Sequence, residues 1–205
     1  MTNDVRMRKA YPILFVAACG AKPAPIAPAL PPAQHEPMTN TWRIPAGWKH
    51  EVIAFPLEFA PSLAHRGVEE LRFPPGFLDA GANHWSYAFA WRLDDAAALT
   101  AEQLADELGV YFRGLLAAVD GDKHRLDPAQ ITATATVSGD GFELRAHIID
   151  TFRDAAAIDL VGAAHRAPCG DGALWTFVLA PQSSPLRDTL DELVALAHCD
   201  QRVEH

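Results

Sequence analysis

His84-Trp85-Ser86-Tyr87-Ala88-Phe89-Ala90-Trp91-Arg92-Leu93 is the stretch on which the fold turns. Trp85, Tyr87, Phe89, Trp91 and Leu93 fall on every second residue, and Ser86, Ala88, Ala90 and Arg92 fill the gaps. A period of two is the strand period, because successive side chains of a strand point to opposite faces. One face then carries the aromatic rings and the leucine, the other small groups and one arginine. Aromatic side chains bury about 150–250 Å² each, so this face alone can anchor a small core. The stretch reads as a central strand packed beneath a helix. An aromatic platform for a ligand is the alternative.

Upstream, residues 48–59 look extended, with Pro56 breaking the segment or placing it at a sheet edge. Val68-Glu69-Glu70-Leu71-Arg72-Phe73 is a second strand, closed by the turn formers Pro74-Pro75-Gly76. In a strand Glu69 and Glu70 point to opposite faces. With His50, Glu51, His65 and His84 they read as a solvated charged rim; with Arg72 they would instead line a pocket mouth, or blunt an edge strand against aggregation, which is the favoured of these.

Downstream, Thr100-Ala101-Glu102-Gln103 is a capping box, in which Thr accepts from the third helical amide and Gln reaches back. Leu104, Leu108, Tyr111, Leu115 and Val119 follow at helical spacing. Gly109 and Gly114 each weaken such a helix by about 1 kcal/mol relative to Ala. On a packing face they would permit close approach to a sheet.

Ile131, Ala133, Ala135 and Val137 alternate with threonines and Ser138, and Gly139-Asp140-Gly141 makes a hairpin turn into Phe142, Leu144, Ala146 and Ile148. Residues 158–165 and 174–180 are two more strands. Ser184 is a plausible N-cap, with Pro185 at the first helical position and an apolar stripe of Leu186, Leu190, Leu193 and Ala197. The element order is β-β-β-α-β-β-β-β-α. Short hairpin connections favour an antiparallel sheet, so residues 41–205 are predicted to form a single α+β domain of about six or seven strands with two helices.

The N-terminus is of another kind. Arg6, Arg8 and Lys9 precede an apolar run over residues 11–18, and Cys19 follows. A basic start, a short apolar run and small residues at the cleavage point make residues 1–18 a signal peptide, too short to span a bilayer. Val16-Ala17-Ala18-Cys19 resembles the lipobox of bacterial lipoproteins. That resemblance implies that Cys19 is diacylated and becomes the first mature residue, anchoring the protein to a membrane of the cell envelope and facing the periplasm or exterior. A signal without lipid is the alternative. Residues 19–40 carry Pro23, Pro25, Pro28, Pro31, Pro32 and Pro37, a polyproline-like tether.

The formal charge of −9 argues against a nucleic-acid partner, since that contact needs clustered Lys and Arg. Cleavage before Cys19 takes three of the 17 basic and one of the 26 acidic residues, leaving −11. Such a chain meets the membrane through its lipid and not through anionic headgroups. With Cys19 lipidated, Cys169 and Cys199 remain, and an exported context favours a disulfide between them. Closing a loop of about 30 residues stabilises by about 3–4 kcal/mol in the chain-entropy model. Two free thiols are the alternative, as is a zinc site with His165 and His198, although that spacing matches no standard module.

His50, Glu51, His65 and Glu69 gather in the first half of the domain, with Glu70 and His84. Such residues can hold a metal ion or pair as acid and base, so a metal-assisted hydrolase is one candidate. There is no His-Glu-x-x-His, Gly-x-Ser-x-Gly, phosphate-loop or dinucleotide glycine pattern. No catalytic residue or cofactor is assigned. The leading expectation is a non-catalytic binding or assembly domain with a protein or small-molecule ligand.

Gly47-Trp48, Phe55-Pro-Leu-Glu-Phe-Ala-Pro61, Gly67-Val-Glu-Glu-Leu-Arg-Phe-Pro-Pro-Gly76 and Trp85-Ser-Tyr-Ala-Phe-Ala-Trp91 resemble a family of uncharacterised exported bacterial proteins. Pro168-Cys169-Gly170, Leu179-Ala-Pro-Gln182 and Cys199 match it too. The resemblance covers nearly all of residues 45–200 and implies export but no activity. The element order is also similar to that of PsbP-like domains, antiparallel sheets with flanking helices that usually act as binding or assembly factors. Topology alone carries that second similarity.

Overall fold

The computed structural model describes residues 42–121 and 126–199, all within a unit spanning Thr39–His205. The predicted signal peptide, Cys19 and the proline tether lie outside the described residues. The elements are β1 (Lys49–Phe55), β2 (Gly67–Phe73), β3 (Tyr87–Leu93), α1 (Ala101–Asp120), β4 (Thr132–Ser138), β5 (Gly141–Ile149), β6 (Ala157–Cys169), β7 (Gly172–Pro181) and α2 (Arg187–Ala195). The strands form one sheet in the order β1-β2-β3-β7-β6-β5-β4, antiparallel at every pairing. The fold is α+β with the predicted element order. Among the described residues no helix is long and apolar enough to cross a membrane.

Two meanders, β1-β2-β3 and β4-β5-β6-β7, are sealed along β3 and β7. There Phe89 lies opposite Phe177 and Trp91 opposite Trp175. The Phe89 and Phe177 rings stack with centroids 4.4 Å apart. Tyr111 of α1 stacks on Phe89 from above at 5.7 Å. Phe89 and Trp91 are fully buried and Trp85 and Tyr87 are 2% exposed, so the aromatic row is core. On the other face Ala88 and Ala90 leave room for α2, whose Leu190 and Leu193 pack there with Trp42. The Trp42 indole Nε1 donates to the Leu193 carbonyl at 2.8 Å.

Local signals hold with four adjustments. The strand starts at Tyr87, because Trp85 takes a left-handed backbone (φ 52°) that ends the extended run. The capping box at Thr100 and Gln103 is formed. The helix it starts buries Leu104, Leu108, Tyr111, Phe112 and Leu116, whereas Val119 is exposed. Gly114 does not admit the sheet. A Cβ there would collide with the Phe59 carbonyl, so the glycine admits the β1–β2 loop. Ser184 does not cap α2, whose N-cap position is Leu186 with no side-chain bond. The Ser184 hydroxyl accepts from the Leu186 amide at 3.2 Å, in the turn ahead of the helix, and from Ser86 Oγ at 2.8 Å, across to the segment entering β3.

Cys169 at the end of β6 is bonded to Cys199, with Cα atoms 5.5 Å apart. The disulfide ties the segment after α2 to the β6–β7 turn. It also occupies both sulfurs of the zinc alternative.

Candidate functional site

The two helices cover different halves of the sheet. On one face α1 lies over β4 and β5 and reaches β3 through Tyr111; on the other α2 lies over β3 and β7. The α1 face of β1 and β2 is therefore left to loops. A cavity of about 340 Å³ opens there, within the size of small-molecule sites. Register places its floor. Glu51 of β1 lies opposite Leu71 of β2, and Leu71 opposite Phe89, so all three side chains share the α1 face. Tyr87 continues that floor, and Tyr111 and Leu115 of α1 close one side.

The wall opposite the helix is built by the segment between β2 and β3. Its prolines start a turn in which the Phe77 amide donates to the Pro74 carbonyl at 3.2 Å. The Trp85 amide then donates to the Phe77 carbonyl at 3.0 Å, and Asn83 Nδ2 to the Pro75 carbonyl at 2.9 Å. This brings the Phe77 and Trp85 rings to 5.6 Å, with Phe152 5.6 Å from Trp85 on the outer side. A bulky residue at positive φ costs about 1–3 kcal/mol and persists only where its surroundings hold it. Trp85 is such a residue, and it lines the cavity.

Two polar atoms of lining residues have no protein partner and almost no accessible surface: Trp85 Nε1 and the Tyr87 hydroxyl, both on residues only 2% exposed. Buried polar groups are nearly always hydrogen-bonded, and leaving one unmade costs about 1–3 kcal/mol. Burial pushes the Tyr87 hydroxyl well above its ordinary range, and the nearby Glu69 charge adds to this. Tyr111 is shifted the same way, by burial first and then Glu69.

Glu69 is fully buried on this same face. Its Oε1 accepts from Trp91 Nε1 at 3.0 Å, and its Oε2 has no hydrogen-bond partner. Burial pushes its carboxyl up to about 7; Trp91 and Tyr111 oppose that shift, and the charge of Glu51 reinforces it. Tyr111 acts on the carboxyl from nearby without meeting hydrogen-bond geometry.

Glu70 points the other way and is held between two arginines. Arg92 Nε donates to its Oε1 at 2.7 Å and Arg72 Nη2 to its Oε2 at 3.1 Å. Arg72 also lies over the Trp42 ring at 4.5 Å and donates to the Trp42 carbonyl at 2.7 Å, and Arg92 donates to the His198 carbonyl at 3.0 Å. The predicted solvated rim and edge protection are thus overturned. β2 lies between β1 and β3, and all three charged side chains are buried. On the α2 face the charges compensate one another, which is what makes their burial tolerable.

The four residues of the metal reading do not converge. His50 and Glu51 are neighbours on β1 and point to opposite faces, Glu51 into the cavity lining. His65, in the β1–β2 loop, pairs with Glu107 of α1 at 3.0 Å and lies 4.0 Å from Asp95. The Glu107 bond raises its pKa above the ordinary value, against the effect of burial. Glu69 is bound to Trp91. Among the described residues no group of three or more His, Cys, Asp and Glu is placed to hold a metal ion. His84 lies 3.1 Å from the buried Asp150.

All four rings of the aromatic row are core, as expected: Phe89 and Trp91 lie at its centre, while Trp85 and Tyr87, each 2% exposed, form the part of it that borders the cavity. Alternation in sequence marks the shared face. It does not mark where α1 stops covering that face. Tyr111 belongs to the predicted helix stripe, but Phe152, in the β5–β6 connection, carries no sequence signal. No protein-family model, curated protein or solved structure matches this chain.

Proposed function

We propose that this chain is a lipid-anchored exported protein whose folded domain is a non-catalytic binding module taking a small molecule into the aromatic cavity. The observation that carries the binding role is the cavity of about 340 Å³, lined by Leu71, Phe77, Trp85, Tyr87 and Tyr111 with Lys49, Glu51 and Asp79 as its charged groups. Small-molecule sites are mostly apolar with a few placed polar groups, and this is such a composition. Export is supported by the basic and apolar N-terminus, the Val-Ala-Ala-Cys frame and the Cys169–Cys199 bond, which persists in oxidising compartments. The proline tether holds the domain off the bilayer.

The binding role is tested with N-phenyl-1-naphthylamine, a neutral apolar dye, titrated into the full chain and into Leu115→Trp. The larger side chain projects into the cavity from α1. The expected result is one dye per chain with enhanced fluorescence, and at least tenfold weaker binding in the variant at unchanged far-UV circular dichroism. Equal binding by both chains overturns the cavity as the site. The anchor is tested separately: Cys19→Ser should leave the membrane fraction, and a variant that stays there overturns lipidation.

A further inference from the structure

We infer that the ligand of this cavity is an organic cation: a protonated amine on an aromatic or other apolar body. The inference rests on the cavity being a binding site and adds the class of ligand.

Two features point the same way. The first is charge. Glu51 and Asp79 are the carboxyls of the lining, and Lys49 is its one cation among the described residues. Lys49 and Glu51 share a face of β1 and both are exposed, so at most one carboxyl is offset from within the lining. Behind the floor a third carboxyl, Glu69, is fully buried, with Oε2 unpartnered and no basic side chain bonded to it. An anion entering this space meets like charge, and a neutral molecule gains nothing from it.

The second feature is the wall. Phe77, Trp85, Tyr87 and Tyr111 belong to the lining, and an aromatic ring attracts a cation over its face through its quadrupole, most strongly where water is excluded.

Three probes of one shape separate the possibilities: 2-amino-1-phenylethanol as the cation, 1-phenyl-1,2-ethanediol as the neutral analogue and mandelate as the anion. Each is titrated by calorimetry into the full chain and into Glu51→Gln, a substitution at an exposed position that leaves the core alone. The cation should bind at least tenfold tighter than the diol, with mandelate weakest. In Glu51→Gln the cation should fall to within about threefold of the diol. Equal affinities for cation and diol in the native chain overturn the ligand class and leave the binding site standing. Tighter binding of mandelate than of the cation does the same. If none of the three binds at millimolar concentration, both the class and the site are overturned.

Discussion

Glu69 and Glu70 are adjacent, both buried, and held in opposite ways. Glu70 has two arginines and is a structural ion pair. Removing one partner from a buried pair leaves an uncompensated charge, so Glu70→Ala should lower unfolding free energy by about 3–5 kcal/mol, read from urea midpoints. Glu69 has one indole bond and no cation. Its folded pKa lies above the ordinary 4.5, at about 7. The folded chain therefore holds this proton more tightly than the unfolded chain does. That contribution is fully present below about pH 4.5 and is lost as pH rises through about 7, to a total of about 3 kcal/mol. His65 acts in the same sense, since its raised folded value gives stability that is present below its ordinary pKa and lost above. Comparing variants isolates Glu69. Glu69→Gln should unfold with a flatter pH dependence between pH 5 and 8 than the native chain, and should be the more stable of the two at pH 8. Parallel curves would contradict the assignment. The opposite facing of the two glutamates is legible from the strand period alone. Their burial is not, because it depends on β1 and β3 pairing from either side, and a run of charges beside a proline turn carries the composition of an edge.

At the scale of elements, α1 and β3 carry most of what sequence periodicity can tell. The capping box, the helix stripe and the aromatic alternation are local patterns with local causes, and the structure has all three. Phe89 sits where they meet, stacked between Phe177 and Tyr111. Phe89→Ala should cost about 3–5 kcal/mol, as large aromatic truncations in cores do. A denaturant midpoint equal to the native value would remove the residue from the core. Gly114 makes a sharper test of how α1 is docked. In an isolated helix Gly→Ala is stabilising by about 1 kcal/mol. Here the new methyl would collide with the Phe59 carbonyl. Gly114→Ala should therefore destabilise by about 1–3 kcal/mol, the usual cost of overpacking. Thermal unfolding of the variant above the native midpoint would show that the loop does not press on the helix. Gly114 is visible in sequence as a weak point in a helix. What it admits is not, because the 56–66 loop has no periodicity that ties it to α1.

The whole molecule is a seven-stranded sheet whose helices are offset on opposite faces. That offset leaves two uncovered areas. One is the outer face of β4, β5 and β6, with exposed Thr132, Thr134, Thr136 and Arg145, which is at home in water. The other is the aromatic face of β1 and β2, which is not, and there the loops build the cavity. Helix offset is set by long-range packing of α1 on β4 and β5, so no single stretch of sequence announces it. The central claim is that this second area is a ligand site with Trp85 in its wall. The chain has five tryptophans, and their indole N–H groups are separable by nitrogen-15 NMR. Trp42 Nε1 is bound to Leu193 on the far face and Trp175 Nε1 to the Ala97 carbonyl, while Trp85 Nε1 has no partner and its ring belongs to the cavity lining. With the Trp85 resonance assigned from Trp85→Phe, the full chain is titrated in turn with 2-amino-1-phenylethanol and 1-phenyl-1,2-ethanediol. The Trp85 resonance should shift and saturate with the amine, while that of Trp42 stays in place. A Trp85 resonance unmoved by both compounds would contradict the claim.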